Sequence, residues 1–406
     1  MTVTGKMGCY MLGGADGLHV SDACLGTMSF SAKDLPAHQN DEEEGFAQLD
    51  MFLEAGALHA SSGAAALTSA YAAAASPSLP PSPHAAGTDA FIDTAELYPV
   101  PPNPNSSGST EEIIGRWMAA RGCRARCVIA TKVAGCAPLP WISAARSEPA
   151  DPAAPPPRLT AEQIKAACDA SLRRMQIDVI DLFQIHWPDR AAPVFGKTQF
   201  DPAAADAHAA VSFEEQVRAM GELIAAGKVR FWGVSNETPY GLTMHCETAK
   251  RLGVPLPVSI QNDFSLLDRR FEAGLAEVCY HYGVKLLAYG ALNGGALTDK
   301  YYDGSVTAGA RHKKFATFQS RYHAPRSLAA GAEYRKVAQA AGVSLAALAL
   351  RWAKARWYMG SVIFGATSAA QLRECLDAYA AGPLSAETEA AIAAIHLERR
   401  NPNALD

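Results

Sequence analysis

Four ionisable residues stand at or just past the ends of short apolar runs, and together they make a set able to move a proton. Asp93 sits in Phe91-Ile-Asp-Thr-Ala-Glu-Leu-Tyr98, with Tyr98 five positions beyond it. Lys132 ends Val128-Ile-Ala-Thr-Lys132, and His186 ends Ile180-Asp-Leu-Phe-Gln-Ile-His186. A phenol near its ordinary pKa of ~10 is a poor acid at neutral pH. An ammonium beside it favours the phenolate and should lower that pKa, while a carboxylate keeps the ammonium charged and in place. A histidine adds a donor toward an oxygen that gains negative charge. The set suits protonation of a carbonyl oxygen as hydride reaches its carbon, and such general-acid help is worth ~10²–10⁴ in rate.

The elements that must position these residues follow from the pattern of apolar runs. Strands are expected at Cys24–Met28, Ala90–Asp93, Val128–Lys132, Val179–His186, Val229–Ser235, Pro257–Gln261, Val284–Tyr289 and Ser361–Phe364. Helical spacing falls between them, at Ser109–Ala120, Ala161–Met175, Phe213–Ala226, Phe271–Tyr282 and Leu345–Ala355. An earlier helix begins at the acids of Asn40-Asp-Glu-Glu-Glu44, which suit its macrodipole, and Gly56 is expected to close it. Eight strands alternating with helices predict an α/β fold, a (β/α)8 TIM barrel, with chemistry at the C-terminal ends of the strands. A doubly wound sheet would need a Gly-x-Gly-x-x-Gly turn after an early strand, and none occurs.

The barrel is expected to take up the whole chain, 1–406, with its core at about 18–396. Gly13-Gly14 and Gly17 suggest the turn of an N-terminal hairpin that plugs the barrel bottom. Residues 58–88 read as a disordered Ala/Pro-rich insertion between the first helix and the second strand, on the face away from the chemistry. The loops Pro138–Arg158 and Ala191–Ala210 follow strands three and four, so they belong to the active face and shape its pocket.

Composition narrows the partners. Half the residues are hydrophobic (49%) and the net charge is -5, which argues against broad nucleic-acid or membrane-surface binding. An anionic ligand would therefore need a local basic site. The nine cysteines are scattered without a Cys-x-x-Cys pair, so neither a zinc site nor a disulfide framework is indicated, and a reducing cytoplasmic compartment is the plain reading. Histidines His19, His38, His59 and His84 lack metal-ligand spacing. A monomer or weak homo-oligomer is expected.

Phe91–Tyr98, Ala130-Thr-Lys132, Asp181–Pro188, Gly227-Lys-Val-Arg-Phe-Trp-Gly-Val-Ser-Asn236 and Ser259-Ile-Gln-Asn262 together resemble the aldo-keto reductases. Ala95-Glu-Leu-Tyr-Pro-Val-Pro-Pro102 and Val234-Ser-Asn-Glu-Thr238 make the chain most similar to the bacterial Tas-type branch of that family. The resemblance implies an NADPH/NADP+-dependent oxidoreductase that reduces aldehydes or ketones to alcohols. Asp93, Tyr98, Lys132 and His186 would then be the catalytic tetrad, with Tyr98 as general acid.

By the same resemblance Ser235, Asn236 and Gln261 would hold the nicotinamide carboxamide, and Tyr289 would stack on its ring. Gly26, Thr27 and Met28 would line the ribose, and Leu292–Leu297, with Gly294, the pyrophosphate. Lys300 and Arg311 would bind the 2′-phosphate, and Gly365, Thr367, Gln371 and Glu374, opening the last major helix, the adenosine. The carbonyl substrate would meet Met28, Phe30, Tyr98, Trp187, Phe318 and Tyr322, an apolar cup. Three positions depart from the family pattern: Gly290 stands for a serine, Ala291 for a proline and Cys375 for an asparagine. Potassium-channel β subunits are more distant relatives, and they imply the alternative of a nucleotide-sensing subunit with slow turnover.

Overall fold

Side chains alternate along a strand, and the eight central strands use that alternation to separate two cores. The computed structural model describes residues 9–13, 17–31, 40–60, 90–304 and 310–406. A hairpin of β1 (Cys9–Leu12) and β2 (Leu18–Ser21) comes first. The barrel strands follow: β3 (Ala23–Gly26), β4 (Ala90–Asp93), β5 (Cys127–Val133), β6 (Ile180–Ile185), β7 (Val229–Ser235), β8 (Ser259–Asp263), β9 (Lys285–Tyr289) and β10 (Met359–Phe364). Each pairs in parallel with its neighbour in chain order, and β10 pairs with β3 to close the ring. This is a (β/α)8 barrel.

Phe91, Val128, Ala130, Leu182 and Leu287 share an inner core with Leu12, Leu18 and Val20 of the hairpin, which therefore caps the lower end as expected. Their neighbours Ile92, Ile129 and Phe183 face outward into the larger core between strands and helices. Buried on both sides, such strands read as the near-continuous apolar runs seen in the sequence.

Several helices start where a hydroxyl meets a free amide: Thr160 accepts from Gln163, Ser212 from Glu215 and Ser368 from Gln371. The first helix, Glu42–Ala60, runs past Gly56 and does not end there. Cys24–Met28 is strand only as far as Gly26. Phe271–Tyr282 is interrupted: a 3-10 turn over Arg270–Ala273 gives way at Gly274 to the helix Leu275–Tyr282. Ala369–Ala380 is followed by a further helix, Ala386–Glu398, and so is not the last. Of the insertion, residues 61–88 lie outside the described residues, as do Gly14 and the histidines at 38 and 84.

Candidate active site

Strand register brings the ionisable set together. Asp93 pairs with Ala130 across β4 and β5, and Lys132 with Gln184 across β5 and β6, so the inward side chains of three successive strands converge above the inner core. Lys132 Nζ donates to Asp93 Oδ2 at 2.6 Å and to the Thr94 carbonyl at 2.7 Å. The other oxygen, Asp93 Oδ1, accepts from Gln261 Nε2 at 2.8 Å and from Gln184 Nε2 at 3.3 Å. Lys132 is fully buried, so its charge depends on this carboxylate. Burial pulls the ammonium down, but Asp93 and the Tyr98 oxygen outweigh it, and its pKa stands above the ordinary lysine value.

Tyr98 lies over this pair, its ring centroid 4.9 Å from Lys132 Nζ and 5.7 Å from the His186 ring. Its pKa departs from the expected direction. Burial raises it and outweighs the lowering by Lys132, so the phenol stays protonated through the neutral range. His186 is pushed well below the usual histidine value by burial and by the Lys132 charge, so its imidazole is neutral. Its Nδ1 is buried without a hydrogen-bond partner among the described residues, which suits a tautomer with the proton on Nε2.

The set opens onto a cavity of about 1210 Å³ across the C-terminal ends of the strands. Every sequence-predicted site residue lines it except Lys132, which lies beneath, and Phe30. Phe30 corrects the expected substrate wall: its ring is fully buried with Phe52 and Ile113 in the core between barrel and helices. Tyr322 reaches the cavity, yet its hydroxyl donates to Asp263 at 2.8 Å.

Ser235, Asn236, Gln261 and Tyr289 form one hydrogen-bonded group. Tyr289 donates to Asn236 Oδ1 at 2.6 Å, Asn236 Nδ2 donates to the His186 carbonyl at 2.8 Å, and Ser235 donates to the Gln261 carbonyl at 2.6 Å. Asn236 adopts a positive φ of 54°, which asparagine tolerates. Sequence reasoning passed over Gln184, whose amide steadies Asp93; one glutamine inside an apolar run gave the signal.

At the far end of the cavity stand Lys300 and Arg311, neither in an ion pair with a described carboxylate. Burial lowers the pKa of both, and Arg311 lowers that of Lys300 further, while the Glu374 carboxylate opposes the shift only in part. Gly295, at φ 101°, leaves room for the lysine: a Cβ there would come within 3.2 Å of its Nζ. Gly365, Thr367, Gln371 and Glu374 complete this end, and Gln371 accepts from the Thr367 amide at 3.1 Å.

One side wall is a clasp. Arg321 Nε donates to Asp263 Oδ2 at 3.0 Å, and Tyr322 joins the same oxygen. Burial pushes the Asp263 carboxyl up, to about 6, against the pull of Arg321. Gly290 makes this possible, since a Cβ there would stand 2.4 Å from Asp263 Oδ1.

The sequence profile of the Aldo/keto reductase family matches residues 84–396. The chain belongs to that family. It is 36% identical over 379 residues to Protein tas of Escherichia coli strain K12, covering 93% of this chain and 95% of the relative. It is 30% identical to the human aflatoxin B1 aldehyde reductase member 4, over 72% of this chain and 80% of that one. A probable voltage-gated potassium channel subunit beta of Oryza sativa subsp. japonica is 29% identical over 72% of this chain and 79% of its own. The family is one of oxidoreductases, in keeping with the residues gathered at the barrel mouth. Among the described residues no helix is long and apolar enough to cross a membrane.

Proposed function

We propose that this family member reduces aldehydes or ketones to alcohols with NADPH, and that Tyr98 is the general acid. The observation that carries the proposal is a cavity with a paired proton-donor cluster at one end and two unpaired cations at the other. The second end fits a phosphate-bearing cofactor, because two half-buried cations with no ion-pair partner among the described residues and only Glu374 nearby favour an anion. Lys300 and Arg311 would take the 2′-phosphate, favouring NADPH over NADH. Gly365, Thr367, Gln371 and Glu374 would hold the adenosine, while Ser235, Asn236, Gln261 and the Tyr289 ring would hold the nicotinamide. NADPH, when bound, supplies hydride to the carbonyl carbon.

The protein's own residues do the rest. Tyr98 gives its proton to the carbonyl oxygen, and the adjacent Lys132 ammonium stabilises the phenolate left behind. Asp93, fixed by Gln184 and Gln261, keeps that ammonium charged and aimed. Neutral His186 offers an N–H to the same oxygen and adds no competing positive charge. Met28, Leu97, Val100, Ile142, Trp187 and Phe318 line the substrate end, which favours aromatic or medium-chain carbonyls over free sugars.

The test is NADPH and NADH oxidation by the purified protein across a panel of aldehydes and ketones, repeated with Tyr98→Phe. Turnover with NADPH that vanishes in the variant supports the reading. Tight NADPH binding with negligible turnover on every carbonyl would favour a nucleotide-sensing subunit.

A further inference from the structure

We infer that Cys136, Asp189 and His208 form a binding site for a borderline divalent cation, zinc above all, on the rim of the substrate cavity. The inference does not rest on the reductase reading. One donor atom from each residue lies within 4.8 Å of the other two. Zinc bonds of about 2.0–2.3 Å hold neighbouring donors roughly 3.3–3.8 Å apart, so the three stand about 1 Å from closure. His208 Nε2 and Asp189 Oδ1 are already 3.2 Å apart.

Two neighbours prearrange the donors. The Trp187 indole donates to the Cys136 carbonyl at 3.0 Å. Gly135 permits that approach, since a Cβ there would lie 2.1 Å from the Trp187 carbonyl oxygen. On the other side Arg158 donates through Nε to Asp189, at 2.9 and 3.0 Å to its two oxygens, and through Nη2 to the Ala209 carbonyl. The Leu159 amide adds a bond to Asp189 Oδ2 at 2.7 Å. Arg158 thus orients both the carboxylate and the residue next to His208, as outer groups around metal sites do. Oδ2 takes the Leu159 amide and shares Arg158 Nε with Oδ1, the oxygen that faces the imidazole.

The ligand types select the cation. A thiolate with an imidazole and a carboxylate suits zinc or cobalt and disfavours magnesium and calcium, which want oxygen donors alone. On binding, the Cys136 thiol proton leaves to solvent, His208 keeps its proton on Nδ1, and Nε2 takes the metal. Cys136 lines the cavity and His208 is partly exposed, so an ion has a way in and a fourth position left open. Sequence spacing concealed the site because its ligands come from two loops, one after β5 and one after β6. A bound ion would tie these two cavity walls together.

The experiment uses the full chain, dialysed against chelator and titrated with Co²⁺, with Zn²⁺ as competitor. A thiolate-to-cobalt charge-transfer band that saturates at one equivalent and is displaced by zinc is expected. Cys136→Ser should abolish the band, and His208→Gln should weaken zinc by more than about tenfold. In the unaltered chain, zinc should protect Cys136 from alkylation, read by peptide mass spectrometry. Absence of saturable binding, unchanged affinity in either variant, or undiminished alkylation of Cys136 with zinc present would each overturn the assignment.

Discussion

The two ends of the cavity handle charge in opposite ways. At the Tyr98 end each charge has its counterpart within the protein: Lys132 meets Asp93, and Asp93 meets two glutamine amides. At the far end Lys300 and Arg311 form no ion pair with a described carboxylate, and Glu374 offsets only part of the charge on Lys300. The first end is preorganised and needs nothing to be ready. The second is electrostatically incomplete, and a bound anion would complete it. The difference teaches that one end of this cavity has its charges fixed within the protein and the other leaves them open to a bound anion.

The sharpest way to break the contrast is Tyr98→Phe, which removes the acid and keeps the ring. Turnover of a carbonyl substrate should fall ~10²–10⁴-fold while NADPH affinity, read by fluorescence titration, changes little. Next is Lys132→Met. Unpairing Asp93 in this buried position should cost roughly 3–5 kcal/mol in urea unfolding, and adding Asp93→Asn should recover part of the loss. A double variant as unstable as the single one would mean that the pair is not a closed unit.

Removing a cation at the open end should act on binding alone. Arg311→Ala is expected to raise the KM for NADPH roughly tenfold or more, with kcat kept and NADH kinetics unaltered. Equal losses for both cofactors would place Arg311 elsewhere than at the 2′-phosphate.

The smallest effect is one that the two ends share. Burial holds His186 at the first end and His312 at the second below the usual histidine value, His312 at about 4. The unfolded chain takes up these protons near pH ~6.5 and the folded chain does not. Stability should be complete above that pH and decline as pH falls from there toward 4, seen as a lower urea midpoint at pH 5 than at pH 7. A midpoint that rises on acidification would contradict the neutral, buried state of both.

Most of the framework was legible because parallel strands buried on both faces are written as apolar runs, and β4 and β7 were bounded to the residue. That Asp93, Tyr98, Lys132 and His186 would gather was legible because they stand at or just past the ends of those runs. What could not be read depended on direction and environment. Phe30 stands just past a strand whose length was overestimated, and its ring turns away from the cavity into the helix layer. The pKa of Tyr98 turns on how much water the fold removes, which no spacing reports. Gln184 gained its part only through the pairing of β5 with β6. The partnership of Gly290 with Asp263 depends on the register of β8 against β9, and only a missing side chain hinted at it.

The clasp at Asp263 also bears on engineering. Arg321 and Tyr322 fasten a stretch that has Arg311 near its beginning and Phe318 in its middle, both lining the cavity, one at the end proposed for the nucleotide and the other at the end proposed for the carbonyl. Transplanting this stretch from a relative to retune substrate preference would exchange the nucleotide grip in the same step. Unless the graft also brought the aspartate and the side-chain-free position beside it, its anchor would arrive without a mooring.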